Sequence, residues 1–168
     1  KMNTPAAMAQ HRWEHRAKLC TQKWTLDFIA RDVETQEMVG VVDLVAENFA
    51  AAREVETASW VLHRFQSQGY GTLIRQAVAE FSFSHLDAHS LRTSWIETNL
   101  ASARVSEKMG YRISTEKKEE PAGPENINRP VVSARLSATD YHRPEGLRVD
   151  VKGVGAVSYT HLTLPTTP

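Results

Sequence analysis

The chain has 168 residues, 41% hydrophobic and 24% charged, which suits one domain with its own core and argues against wholesale disorder. Lys plus Arg equals Asp plus Glu at 20 each, so the basic surplus expected of a nucleic-acid or anionic-membrane binder is absent. The lone Cys20 excludes an intramolecular disulfide and a cysteine-rich metal site. Without a long apolar run or a charged-then-apolar leader, the chain reads as soluble and cytoplasmic, with neither nucleic acid nor membrane as partner.

Met8 to Leu19 (MAQHRWEHRAKL) contains good helix formers and no Gly or Pro, and predicts a helix. Trp24, Leu26, Phe28 and Ala30 recur at period two, so Trp24 to Arg31 predicts a strand. The short polar segment Asp32 to Glu37 reads as a hairpin connection, and the Val-rich Met38 to Ala46 as the returning strand. Gly40 within it predicts a bulge or a close backbone approach. Glu54 to Leu62 is a third strand. Its alternation sets Glu54, Glu56, Ala58, Trp60 and Leu62 on one face, and Val55, Thr57, Ser59 and Val61 on the other.

Arg64 to Gly71 leads into a helix from Thr72 to about Phe83, with Ile74, Ala77, Val78 and Phe81 as its apolar stripe. Ser90 to Ile96 is a strand. Leu100 to Met109 is a helix capped by Asn99 and stopped by Gly110. Tyr111 to Thr115 and Val131 to Leu136 are strands on either side of a charged loop, Lys117 to Asn128. Ser137 to Asp140 has capping-box spacing and fits a turn as well as a helix. Leu147 to Val154 is one more short strand. The order predicts an α/β (α+β) fold with one mixed sheet covered by helices. Residues 1–156 form that domain. Val157 to Pro168 (VSYTHLTLPTTP) changes composition abruptly, resembles one reading frame of a transposon end used in sequencing-library preparation, and is expected to be a non-native tail.

The stretch richest in chemistry is Gln66-Ser67-Gln68-Gly69-Tyr70-Gly71-Thr72, between a strand and an amphipathic helix. Glycines there allow backbone angles other residues avoid. Successive loop amides and the positive end of the helix dipole would then converge as a pyrophosphate site. A dinucleotide fingerprint would need a third glycine where Ile74 stands, and a Walker loop would need Lys after Gly71, where Thr72 stands. A Gly-x-Gly turn alone is a weak signal. A second segment, Asn99-Leu-Ala-Ser102-Ala-Arg-Val-Ser106-Glu-Lys-Met-Gly110-Tyr111, follows the next strand at the right distance.

Together the two segments resemble the GNAT superfamily of N-acetyltransferases, over about Trp24 to Leu136. Gln66 to Gly71 matches its Q/R-x-x-G-x-G/A signature, and Asn99 to Tyr111 its Asn-x-x-Ser/Ala…Gly-Phe/Tyr helix. The similarity is closest to the branch that acetylates ribosomal-protein N-termini. It implies a mostly antiparallel sheet, and acetyl-coenzyme A (acetyl-CoA) as co-substrate with no metal. Its pyrophosphate would lie on Gln66, Ser67, Gln68, Gly69, Tyr70, Gly71 and Thr72, and its pantetheine beside Asn99 and Ser102. Trp60, Val61 and Leu62 would offer backbone groups to the pantetheine amides as an added strand does. Family members usually begin with a strand and one or two helices. Here one helix precedes Trp24, so the sequence is expected to be an N-terminally truncated fragment.

Direct transfer needs a base for the protonated amine, donors for the oxyanion, and help for the departing thiolate. Glu54 and Glu56 share a strand face, and either is a candidate base, directly or through water. Mutual repulsion across the cleft would favour that role. The resemblance makes Glu56 the closer match, and both also read as solvated charges at a strand start. Ser106 stands where many members carry a tyrosine that protonates the thiolate, and is assigned thiolate stabilisation. Ser102 lies one turn earlier on the same face, and both serines also suit close helix packing. Asn99 serves as cap, as pantetheine contact, or as both. The Trp60 side chain is expected in the core. His63 is a lesser candidate base. His11 and His15 have metal-pair spacing without a third ligand, so no metal is expected.

The acceptor is an amine, on a small molecule or a protein N-terminus, and a homodimer is left open. Two other readings remain. One is a non-catalytic acyl-CoA-binding module, favoured by Ser106 in place of tyrosine. The other is an interaction domain without cofactor, against which the intact loop argues.

Overall fold

The computed structural model describes residues 22–122 and 127–152, with 9, 10, 13, 14, 17, 19 and 20. Of the predicted first helix, the described positions 9, 10, 13, 14 and 17 are helical and exposed. His11, His15 and the tail from Val157 lie outside the described residues.

Six strands form one sheet: β1 (Lys23–Arg31), β2 (Met38–Glu47), β3 (Glu54–Val61), β4 (Ser90–Ile96), β5 (Arg112–Ala122) and β6 (Ile127–Ser137), in the spatial order β1-β2-β3-β4-β6-β5. Every neighbouring pair is antiparallel except β3 and β4, which run parallel. Between them lie α1 (Phe49–Ala52), α2 (Tyr70–Ser84) and α3 (Leu100–Lys108), with a short 3-10 turn at His63–Phe65. The α2 face of the sheet carries Leu44, Val55, Leu91 and Leu136, all fully buried, and from the helix Ile74 and Val78 pack into the same core. The alternation read for β3 holds. Val55 and Thr57 are buried, whereas Glu54 and Glu56 lie partly exposed on the opposite face.

Three expectations need correction, and the open choice at Ser137 to Asp140 resolves to a turn. The predicted loop Lys117 to Asn128 is largely strand, because β5 and β6 form a long hairpin through pairs such as Lys118↔Val131 and Glu120↔Arg129. Its charged side chains line a solvent-exposed ribbon, where composition resembles that of a loop. No strand forms over 147–152. Ser137 to Asp140 is a turn, with the Asp140 amide bonded to the Ser137 carbonyl at 3.1 Å and hydroxyl at 3.2 Å. Trp60 is 43% exposed on the face away from α2, so its side chain is not in the core. The four-residue α1 had no sequence signal. It closes through left-handed Asn48 and Arg53.

Gly40 is a close approach. A Cβ there would collide with the Trp60 carbonyl oxygen and meet Ile74 Cδ1 at 3.4 Å. Gly40→Ala must therefore displace β3 from β2, and a urea melt is expected to lose roughly 1–3 kcal/mol, as for other overpacked cores.

Candidate active site

The centre of the sheet is a fork. β3 and β4 pair only at Glu54↔Ser90, Val55↔Leu91 and Glu56↔Arg92, after which each follows its outer neighbour, β2 or β6. Two hydroxyls close its base: Thr57 Oγ1 donates to the Arg92 carbonyl at 3.3 Å, and Thr93 Oγ1 to the Thr57 carbonyl at 3.1 Å.

Beyond that point β3 has one row of backbone groups without a strand partner. The Leu62 amide donates to the Val39 carbonyl at 2.9 Å. Because bonded positions alternate along an antiparallel pair, Trp60 and Ala58 also turn their backbone groups to β2, while Ser59 and Val61 turn theirs into the fork. Of the three residues assigned to pantetheine, Val61 alone presents its backbone there. Trp60 and Leu62 do not, and Ser59, which was not among the three, does. The Val61 carbonyl is already taken by Gln66 Nε2 at 3.0 Å, which leaves its amide.

At the wide end of the fork stands the loop before α2. Ser67 has φ 60° and Gly69 φ 90°, both left-handed. This path ends β3 and starts the helix within a few residues. The amides of Thr72 and Leu73 bond back to the Gly69 carbonyl at 3.0 and 3.1 Å. Those of Ser67, Gln68 and Gly69 make no hydrogen bond among the described residues. Tyr70 and Gly71 come before the first intrahelical bond, so their N–H groups are free too. Five donors without a partner among the described residues thus lie at the positive end of a 15-residue helix.

The loop's side chains face elsewhere and hold its shape. Gln68 Nε2 donates to the Arg64 carbonyl at 2.8 Å, and Tyr70 Oη to Asp32 Oδ2 at 2.7 Å. In Gln68 and Tyr70 it is therefore the backbone that is left for a ligand, whereas Gln66 has its side chain on the Val61 carbonyl and its amide on the His63 carbonyl at 3.1 Å, so neither donor points to a pyrophosphate.

Asp32 ties the β1–β2 hairpin to this loop. The Thr35 amide, then the Tyr70 hydroxyl and the Thr35 hydroxyl, hold its carboxyl below the ordinary carboxylate range. A depressed pKa contributes stability that is complete above the unfolded value of about 4 and is lost as pH falls through the folded one. The stability gap between the native chain and Asp32→Asn is expected at pH 6 and to close toward pH 2, read by urea melts across that range.

The second segment is capped and stopped as read. Asn99 Oδ1 caps α3 by accepting the Ser102 amide at 3.2 Å, and Gly110 ends it at φ 82°. Cap duty leaves the Asn99 amide nitrogen free. Ser106 is different. Its hydroxyl is fully buried, donates its proton to the Ser102 carbonyl at 2.9 Å and accepts from Arg75 Nη1 at 2.7 Å. With its one proton committed to the helix backbone, Ser106 has none for a thiolate.

Glu54 and Glu56 do share a face, as expected, with Arg92 between them. Its Nη2 donates to Glu56 Oε2 at 2.7 Å, and its Nε is 3.6 Å from Glu54 Oε1. A shared cation replaces the mutual repulsion inferred from the sequence. Glu54 is held further by Arg135 Nε at 3.0 Å and the Ser90 hydroxyl at 3.1 Å. Glu56 has the single arginine, and both partners are over a third exposed, so that pair contributes at most ~1 kcal/mol. Glu56 is thus the freer of the two. Beside them opens a cleft of about 480 Å³ lined by Arg92, Arg112, Ser133 and Arg135. Among the described residues no three His, Cys, Asp or Glu side chains gather as metal ligands.

A mixed sheet whose one parallel pair splits beside a loop of free amides at a helix start defines the acetyltransferase class of α+β fold. The chain belongs to the acetyltransferase (GNAT) domain family, whose profile matches residues 2–112. Solved structures share the fold. Spermidine N-acetyltransferase from Vibrio cholerae, in complex with CoA and spermine, superposes with a TM-score of 0.68 at 15% identity, covering 83% of this chain and 78% of that one. A Vibrio cholerae protein described as a ribosomal-protein-serine acetyltransferase gives 0.61 at 19% identity, covering 79% and 71%.

Proposed function

We propose that the protein transfers the acetyl group of acetyl-CoA directly to a primary amine. The observation that carries this reading is the fork with the amide loop at its open end. From Val61 back to Thr57 the strand covers roughly 13 Å at ~3.3 Å per residue, a track along which an extended pantetheine arm takes the place of a paired strand. The pyrophosphate then sits on the amides of Ser67 to Gly71. The arm pairs with Ser59 and Val61, with Asn99 close by on α3, and the thioester lies at the Thr57–Thr93 closure.

On the far side of the fork Glu56 is the base, directly or through water, because its single exposed ion pair opens at little cost. Glu54 positions Arg92 and Arg135. These arginines lie among four carboxylates, because Asp43 opposite Ala58 and Asp27 opposite Asp43 share the face of Glu54 and Glu56, a setting that suits a cationic amine. The acceptor is then read as a protein N-terminus. The acceptor reading is the finer part of the proposal, and it agrees with the sequence resemblance to the branch acting on ribosomal proteins.

The test is calorimetry with acetyl-CoA, followed by turnover on a panel holding N-terminal peptides, polyamines and aminoglycosides. Saturable binding with turnover of peptides is expected. Binding without turnover on any amine would replace the enzyme by an acyl-CoA-binding module, and absence of binding by folded protein would overturn the reading.

A further inference from the structure

Arg75 stands in the first half of α2, where sequence periodicity leaves no reason for a charge. It is 8% exposed, and burial pushes its guanidinium below its ordinary range. Nη1 donates to Ser106 Oγ at 2.7 Å, and Nη2 to Ser102 Oγ at 3.0 Å and Thr93 Oγ1 at 3.3 Å. The guanidinium lies 5.9 Å from the centroid of the Tyr111 ring. Those are its neighbours from α3, from β4 and from the residue that precedes β5. Its partners are hydroxyls, and no carboxylate contacts it among the described residues. A buried cation without a counter-ion is costly, and here it borders the closure of the fork, since Thr93 Oγ1 itself bonds the Thr57 carbonyl.

We infer that Arg75 is a catalytic residue that stabilises the departing thiolate of coenzyme A. This rests on the acetyl-transfer reading above and departs from it by removing that task from Ser106. As the amine nitrogen bonds to the acetyl carbon, the C–S bond breaks and its electron pair stays on sulfur. The ammonium proton passes to Glu56 or water. The guanidinium keeps its own protons, pairs with the thiolate at the fork, and releases it once solvent protonates the sulfur. Ser102, Ser106 and Thr93 hold the guanidinium without neutralising it, so its whole charge remains available. That explains why small hydroxylic side chains, and no acid, surround it.

The thiol of bound coenzyme A reports this charge. In the full chain its ultraviolet thiolate absorbance is expected to appear at least about one pH unit below that of free coenzyme A. In Arg75→Gln it should titrate as the free thiol does. With acetyl-CoA, the same variant should lose roughly 100-fold in kcat, as when an oxyanion donor is removed, with little change in KM. Arg75→Lys should recover part of both effects, which a purely structural strut would not. A folded Arg75→Gln protein with unchanged kcat and bound-thiol titration overturns the inference. If that variant does not fold, a native complex whose thiol ionises no earlier than free coenzyme A overturns it equally. Preference for a succinyl over an acetyl donor, lost in Arg75→Gln, would assign the cation to an acyl carboxylate and also overturn it. Failure of the native chain to bind coenzyme A removes this inference and the acetyl-transfer reading together. Binding with an unshifted thiol removes this inference alone.

Discussion

Gly71→Val is expected to weaken acetyl-CoA binding by roughly 100-fold or more while the protein stays folded, if two charge-assisted bonds of ~1.5–3 kcal/mol each are lost. The separation of the two effects comes from the local geometry. A Cβ at position 71 meets only Val61 Cγ2, at 3.8 Å, which is ordinary contact. The protein itself thus has room for the side chain, and what it obstructs is the space above the first-turn amides, where the pyrophosphate is proposed to sit. Gly69 makes a poorer probe. Its surroundings are open, but at φ 90° any side chain strains the loop, so Gly69→Val confounds loop conformation with ligand contact. Calorimetry on Gly71→Val beside a urea melt decides the matter. Undiminished affinity would move the pyrophosphate off this loop.

Glu56→Gln is expected to lower turnover with alkyl amines by roughly 100-fold, the low end of general-base effects. Amines that are already unprotonated at neutral pH, such as aromatic amines or hydroxylamine, need no base before attack, and their rates should fall far less. That contrast separates proton removal from damage to the fold. Glu54→Gln should behave differently. Its carboxylate is held by Arg92, Arg135 and the Ser90 hydroxyl, so the loss should appear first as destabilisation of the β3–β4–β6 junction. Equal, full activity in both variants would take the base away from this strand.

Much of the fold was legible because each signal was local. Period two identified β1 and sorted the faces of β3, and Val content identified β2. Asn99 and Gly110 marked the ends of α3 through side-chain capping and a left-handed stop, both confined to a few residues. The hairpin from Lys117 onward was misread for the same reason in reverse. Its consecutive charges, Lys117 to Glu120, face water on both sides, so no hydrophobic period betrays a ribbon whose order comes from its partner strand. Arg75 and Glu80 escaped notice because an amphipathic helix was expected to point charges outward, whereas both are buried beside polar partners from α3 and from the chain beyond β6.

The division runs through the site itself. By itself the sequence determined that a glycine-bearing turn leads into a helix, that a capped helix follows the next strand, and that Glu54 and Glu56 share a face. These depend on backbone torsions and on the two-residue and 3.6-residue periods, which adjacent residues set among themselves. Only the tertiary structure decided which backbone groups of β3 stand free, that Arg92 lies between the two glutamates, that Ser106 spends its proton on α3, and that Arg75 reaches the fork. Each of these is a contact between elements far apart in the chain. Strand register and helix docking choose the partner of every amide, proton and charge, and neither is encoded within a single segment.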